Sequence, residues 1–178
     1  MPDTGYRIPA SGIRYPVLSC TMQFRKTLSK EQALQKARHY CAYQERSHSE
    51  VKEKLYSLGL RKQEVEESLS QLIEDNYLNE ERFARQFAGG KFRMKQWGRV
   101  KITYELKQKQ VSAYCIKVAM KEIEEADYLK TLDKLATKKW DTLKGETNRF
   151  VKLRKTQDYL MQKGYETQLI SAALNTLK

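Results

Sequence analysis

The stretch SHSEVKEKLYSLGLRKQEVEESLSQL, from Ser47 to Leu72, carries the pattern on which the fold of this chain depends. It opens with Ser47 and Glu50 at the spacing of a capping box, a signal for the start of a helix. Gly59 then interrupts the pattern, as is typical just past the C-terminal end of a helix. Apolar residues at helical spacing stand on both sides of this glycine, namely Val51, Leu55, Leu60, Val65, Leu69 and Leu72. The stretch therefore predicts two amphipathic helices joined by a short turn.

The same pattern occurs twice more along the chain. At an offset of 51 residues the apolar positions fall on Ile102, Leu106, Val111, Ile116, Met120 and Ile123. At an offset of 105 residues the matching positions are Leu160, Gly164, Tyr165, Ile170, Leu174 and Leu177. A period near 50 residues indicates a tandem array, and units of this size stack because each is too small to bury a good core alone.

Each unit also has the signals of a first helix. Ser29 and Gln32 form another capping box ahead of the first unit. Apolar residues at helical spacing follow in the other two units, as Phe83, Ala84, Phe87 and Ala88 and as Leu129, Leu132, Ala136 and Trp140. We therefore predict an all-α fold of tandem three-helix repeats, similar to helix-turn-helix units, that form an elongated, curved molecule. The predicted repeats cover residues 29–78, 79–126 and 127–178, after an irregular N-terminal arm at 1–28 that contains all three prolines.

Charge is distributed unevenly over these units. The whole chain has a formal net charge of +12, which favours a polyanionic or acidic partner but does not specify a fold. Residues 31–78 hold seven basic and nine acidic side chains, whereas residues 79–126 and 127–178 each hold eleven basic and six acidic ones. The first unit is therefore slightly acidic, and the other two are strongly basic.

The basic residues of the second unit are the candidate binding site. From Arg85 to Lys109 the sequence contains eight basic residues and a single acidic one, Glu105. Aromatic residues stand between the basic ones. Phosphates are neutralised by such side chains, and exposed aromatic rings stack on unpaired bases. Of the aromatic residues, we expect Trp97 to close the junction between two helices. The candidate residues for binding nucleic acid or a protein filament are Arg85, Lys91, Arg93, Lys95, Arg99, Lys101, Lys107 and Lys109.

Catalytic and metal-binding patterns are missing from the sequence. Gly89-Gly90 lacks the remainder of a phosphate-binding loop. The three cysteines (Cys20, Cys41 and Cys115) and two histidines do not have the spacing of a zinc site. No apolar run approaches the length of about 20 residues that spans a bilayer. We expect a non-enzymatic, monomeric, cytoplasmic protein without cofactor or metal.

A helix-turn-helix DNA reader is an alternative prediction. The would-be recognition helix of the second unit, near 112–123, carries Tyr114, Lys117, Lys121 and Glu122. It lacks the Arg, Asn and Gln cluster that reads base edges. An architectural or transcriptional DNA-binding protein, and an adaptor for an acidic protein, therefore stay as alternatives with less support.

Three segments resemble the RecX family of bacterial recombination regulators. They are RSHSEVKEKLYSLGL at 46–60, DNYLNEERFA at 75–84 and WGRVKITYEL at 97–106. The resemblance extends from about Ser29 to Ile123 and continues more loosely to the C-terminus. Two departures are the Asn79-Glu80-Glu81 sequence before Arg82, where the family usually has Asp, and Gln110, where a glycine usually follows the helix.

The resemblance implies a specific function. RecX-like proteins bind the RecA recombinase and its filament on single-stranded DNA, and they restrain filament extension, ATP hydrolysis and strand exchange. On this basis we expect RecA and its filament as partners, direct contact with DNA as a further possibility, and a role in the SOS response and DNA repair.

Overall fold

The computed structural model of the protein describes residues 28–177, which form nine α-helices and no β-strand. The predicted arm lies outside the described residues, apart from Leu28. The helices are α1 (Lys30–Tyr43), α2 (His48–Ser57), α3 (Lys62–Glu74), α4 (Glu80–Lys95), α5 (Arg99–Gln108), α6 (Ala113–Met120), α7 (Glu125–Thr142), α8 (Arg149–Lys163) and α9 (Thr167–Thr176). Helices that pack closely belong to the same set of three, which we call unit 1 (α1–α3), unit 2 (α4–α6) and unit 3 (α7–α9). The all-α, three-helix prediction is confirmed.

Local capping signals set where most helices begin. Ser29 and Ser47 each form the complete capping box that the sequence predicts, at the starts of α1 and α2. Asn79 and Ser112 cap α4 and α6 with their side-chain oxygens. Each cap satisfies a backbone N–H that the first turn of a helix leaves without a partner. The starts of these four helices are therefore determined by residues within one turn of them.

Two separate hydrophobic cores lie within the described residues. Unit 1 has its own core, in which Val51, Leu55, Val65 and Leu72 are fully buried. Units 2 and 3 share a second core that runs without interruption from α4 to α9. The protein is thus a basic pair of units joined to a smaller, slightly acidic one.

The backbones of units 2 and 3 interlock where the C-terminal end of α8 meets the N-terminal end of α5. The N–H of Gly98 donates to the carbonyl of Lys163 at 2.8 Å, and the N–H of Val100 donates to that of Gly164 at 3.0 Å. A Cβ atom on Gly98 would lie 2.1 Å from the Gly164 oxygen. Glycine is therefore required at position 98 because the two backbone segments approach too closely for a side chain.

Tyr128 fixes the same junction from inside the shared core. Its ring is completely buried, and its hydroxyl donates to Glu166 at 2.5 Å and accepts the N–H of Arg99 at 3.0 Å. Burial and then the Glu166 hydrogen bond raise the pKa of Tyr128, so the phenol keeps its proton. The sequence pattern assigned the inward position of α7 to Leu129, which is 39% exposed. That assignment was wrong by one residue, about 100° around the helix.

Units 1 and 2 meet mainly through polar side chains. Ser49 donates its hydroxyl to the carbonyl of Lys109 at 2.9 Å, and the Lys109 ammonium pairs with Glu50 at 2.6 Å. Arg82 of unit 2 pairs with Glu45 of unit 1 at 2.6 Å. The C-terminal end of α5 therefore contacts the N-terminal end of α2, just as the end of α8 contacts the start of α5 between units 2 and 3. Between units 1 and 2, however, the contact is made by side chains, whereas between units 2 and 3 it is made by backbone hydrogen bonds.

Candidate binding surfaces

Five of the eight predicted binding residues of unit 2 are divided among three surfaces. Arg85 lies between Glu81 and Glu122 and forms ion pairs of 2.8 Å with both. Lys107 lies on the outer side of α5 beside Tyr104, which is 60% exposed. Lys91, Lys95 and Lys109 line a cleft between units 1 and 2. The eight residues therefore do not form one continuous face.

Two of the eight residues, Arg99 and Lys101, make contacts within the junction between units 2 and 3. The Arg99 guanidinium pairs with Glu125 at 2.6 Å and lies 4.2 Å from the centre of the Tyr128 ring. The Lys101 ammonium donates to the carbonyl of Gln162 at 3.3 Å. Both side chains hold structural contacts, so a ligand would have to displace those contacts to use their charge.

The cleft between units 1 and 2 has a volume of about 480 Å³. Its walls carry Lys91 and Lys95 together with the apolar side chains of Phe87, Met94 and Trp97. Its other lining residues are Gln44, Glu45, Glu50, Phe83, Gln86, Gly90, Glu105 and Lys109. The cleft therefore combines positive charge with apolar surface, beside carboxylates that are mostly engaged with neighbouring cations.

Trp97 is half-buried at the turn between α4 and α5 and packs against the shared core. The ammonium groups of Lys91 and Lys101 lie 5.2 and 4.7 Å from the centre of its ring. These distances are within the range of cation–π attraction. Trp97 thus occupies the helix junction, and one edge of it contributes to the cleft.

Unit 3 carries a basic and aromatic surface that the sequence pattern did not single out. Lys139 and Lys163 lie 5.5 and 5.7 Å from the ring centre of Tyr159, and Lys152 lies 4.1 Å from that of Trp140. We call these five residues the α7–α8 seam. Lys163 also donates to the carbonyl of Lys95 at 3.3 Å, which places the seam next to the end of α4.

The cations of unit 3 are mostly unpaired within the described part of the chain. Ten of its basic residues fall between Tyr128 and Leu177, and among them an ion pair is present only at Lys155, with Glu146. Lys134 and Lys138 project from the exposed side of α7. The net charge of the unit was visible in the sequence, but its freedom from ion pairs depends on the packing.

Helix α6 occupies the place of the recognition helix in the helix-turn-helix alternative. It is eight residues long and packs Cys115, Ile116 and Ala119 into the core. Tyr114 is 70% exposed, and Lys117 is exposed as well. The exposed side of α6 thus lacks the amide and guanidinium groups that read base edges.

The described residues form none of three further kinds of site, namely a metal site, an ionised thiol at Cys41 and a membrane-spanning helix. No group of three His, Cys, Asp or Glu side chains there is placed to hold a metal ion. Burial raises the pKa of the Cys41 thiol to about 11, which keeps it protonated. Between Leu28 and Leu177 no helix is long and apolar enough to cross a membrane.

The fold and surfaces define a helical-repeat protein of tandem three-helix units, two of which carry basic surfaces. Family models described as "RecX, second three-helix domain" and "RecX, third three-helix domain" match residues 79–120 and 125–174. A regulatory protein RecX from Prosthecochloris aestuarii is 31% identical over 145 residues, which cover 82% of this chain and 93% of the relative. The chain belongs to the RecX family of regulatory proteins.

Other relatives and solved structures agree with this assignment. A regulatory protein RecX from Clostridium perfringens is 29% identical over 74% of this chain and 62% of its own length. One from Lactobacillus gasseri is 34% identical over 60% of this chain and 40% of its own length. The crystal structure of RecX from Lactobacillus salivarius matches with a TM-score of 0.74 at 21% identity, over 83% of this chain and 96% of the other. That structural match supports the fold.

Proposed function

We propose that this protein binds RecA and the filament that RecA forms on single-stranded DNA, and that it inhibits filament extension, ATP hydrolysis and strand exchange. The observation that carries the proposal is the match of units 2 and 3 to the second and third RecX domains. The protein acts by occupying a surface, without chemistry of its own. Its partners are RecA and the DNA that RecA covers.

The charge distribution supports contact with a nucleoprotein filament. Units 2 and 3 share one core and carry most of the positive charge, so their cations are held at fixed positions relative to one another. A rigid array of cations attracts phosphates and acidic protein surfaces over a long contact. Unit 1, with its separate core and slight negative charge, contacts a different part of the filament.

The test is the DNA-dependent ATPase of RecA on single-stranded DNA, measured against increasing amounts of this protein. We expect ATP hydrolysis and strand exchange to fall as the protein is added, and filaments seen by electron microscopy to shorten. Unchanged ATPase and strand exchange at a large excess of the protein would refute the proposal.

A second candidate is direct nucleic-acid binding by an architectural protein, and the α7–α8 seam is the observation that favours it. Its lysines and aromatic rings are groups that bind phosphates and stack on bases. This candidate predicts tight binding to one duplex sequence without RecA. Equal competition by random single strands would exclude sequence-specific binding.

A further inference from the structure

No contact within the described residues requires a glycine at position 90. This residue lies inside α4, where glycine is the least favourable residue after proline. Gly98 has the backbone of Gly164 and Tyr165 against its Cα, whereas a Cβ atom on Gly90 would meet no atom within 4 Å. The local sequence therefore gives up helix stability at Gly90 without any gain from internal packing.

The bare backbone at Gly90 forms part of the wall of the cleft between units 1 and 2. One turn further along α4, Met94 is 83% exposed at the same cleft. An unbranched, polarizable methionine adapts to varied apolar partners, and a glycine lets a partner approach the helix closely. Together they form an apolar contact area on α4.

Positive charge flanks this contact area. Lys91 and Lys95 line the cleft, and within the described residues neither forms an ion pair. Glu50 faces the same space, although Lys109 neutralises it. Glu105 lines the cleft as well. Carboxylates so close to the cations disfavour a phosphate backbone, which carries a charge at every residue. A polypeptide with one carboxylate beside an apolar side chain fits the mixed lining better.

We propose that this cleft docks a segment of a partner protein, with a large apolar side chain against Gly90 and Met94 and a neighbouring carboxylate at Lys91 and Lys95. The inference rests on the proposed function when that partner is RecA, whose segment would then enter between units 1 and 2. The contact area and the two cations together select an acidic and apolar peptide.

The first test uses the full chain and a displayed library of short random peptides, without RecA. We expect the wild-type protein to enrich peptides that pair a carboxylate with a large apolar residue. Gly90→Leu fills the contact area and should weaken the selected peptides at least tenfold. Gly145→Leu is the matched control, because Gly145 also has open space around it but lies outside the cleft.

Stability measurements separate a blocked cleft from a misfolded protein. Gly90→Ala should raise the melting temperature by about 2–4 °C, because alanine favours the helix and its Cβ meets no atom. The same variant should weaken peptide binding less than Gly90→Leu does. Enrichment of no such peptides, or equal binding by wild type and Gly90→Leu, would overturn the inference.

The second test asks whether the docked segment belongs to RecA. We expect Gly90→Leu to need at least tenfold more protein than wild type to inhibit the RecA ATPase. Equal inhibition by both proteins would show that RecA does not dock in the cleft, and the proposed function would still stand. Selection of acidic and apolar peptides by a protein that leaves RecA unaffected would refute the proposed function and support a cleft for another partner.

Discussion

At the scale of single residues, Gln110 shows how the chain makes a tight turn without glycine. It adopts a φ of 60°, as do Asn76 and Gln96 near the ends of their helices at 58° and 53°. The corresponding residues in units 1 and 3 are Gly59 and Gly164, with φ of 95° and 89°. The turn thus keeps its left-handed conformation, and a residue with a Cβ atom bears the cost.

We expect Gln110→Gly to stabilise the protein by about 0.5–1 kcal/mol, because glycine adopts this conformation without steric cost. The measurement is chemical denaturation followed by circular dichroism. Gln35→Gly makes the same chemical change at an exposed position inside α1, where it should cost about 1 kcal/mol. Destabilisation by both substitutions would show that the side chain of Gln110 stabilises the turn.

Particular residues show which features of the fold the sequence could predict. The capping boxes predicted at Ser29 and Ser47 are confirmed, because a helix cap depends on neighbours within one turn. The inward position predicted for Leu129 was wrong. It and Tyr128 are both apolar enough for the core, and the tyrosine makes tertiary contacts that the sequence does not show, among them the hydrogen bond to Glu166.

The candidate site was less predictable than the fold. The pairing of Lys109 with Glu50 joins residues 59 positions apart, and sequence spacing does not contain such distances. The contact of Lys139 with Tyr159 in the α7–α8 seam depends in the same way on how two helices pack. Charge can therefore be counted from the sequence, whereas its availability to a partner cannot.

At the scale of secondary-structure elements, the contact between α5 and α8 should be the most sensitive place in units 2 and 3. Gly98→Ala would bring a Cβ atom to 2.1 Å from the Gly164 oxygen and separate the two hydrogen-bonded ends. We expect a loss of more than about 2 kcal/mol, because the backbone there cannot move without breaking those bonds. Thermal unfolding measures the loss.

Gly145→Ala is the control for that substitution, since its Cβ would meet no atom within 4 Å. It should change stability by less than about 0.5 kcal/mol. Similar small effects of both alanines would mean that the two helix ends are held by other contacts.

The contact between α2 and α5 should depend on pH. Burial opposes ionisation of Glu50, but hydrogen bonds from Lys109 and the N–H of Ser47 outweigh it and lower its pKa below the ordinary 4.5. A carboxylate with a lowered pKa in the folded state stabilises the fold above the unfolded value. That contribution is lost as the pH falls through the folded value.

We therefore expect the wild type to exceed Glu50→Gln in stability at neutral pH, with the difference shrinking as the pH falls below the ordinary carboxyl value of 4.5. Unfolding curves of both proteins across this range provide the measurement. Glu53→Gln, an exposed change on the same helix, is the control. A difference that stays constant with pH would assign the effect of Glu50 to packing.

At the scale of the whole molecule, the unpaired cations of unit 3 should contribute more to filament binding than the paired ones of unit 2. We expect Lys134→Glu, Lys138→Glu and Lys152→Glu together to weaken binding to the RecA filament or to single-stranded DNA at least tenfold. Each lost phosphate contact also lowers the slope of affinity against salt concentration. Fluorescence anisotropy over a salt series measures both quantities.

Two comparisons control that charge-reversal experiment. Lys36→Glu and Lys62→Glu change exposed lysines of unit 1 and should leave affinity nearly unchanged beyond the general effect of net charge. Arg99→Glu should lower stability, since its contacts with Glu125 and Tyr128 are structural. Lost helicity in the triple variant would show that the unit 3 lysines are structural too.

The first turn of α8 gives the array a polarity. Lys152 stands 54 residues after Gly98, at the matching place in unit 3, but it lies within α8, where its N–H donates to Asn148 at 3.0 Å. In unit 2 the N–H of Gly98 is free to donate to the end of α8, whereas in unit 3 the N–H of Lys152 already donates within its own helix. Head-to-tail contacts that do not close propagate into open fibres. The backbone contact that joins units 2 and 3 therefore has no equivalent free donor at position 152 to receive a further copy of the protein.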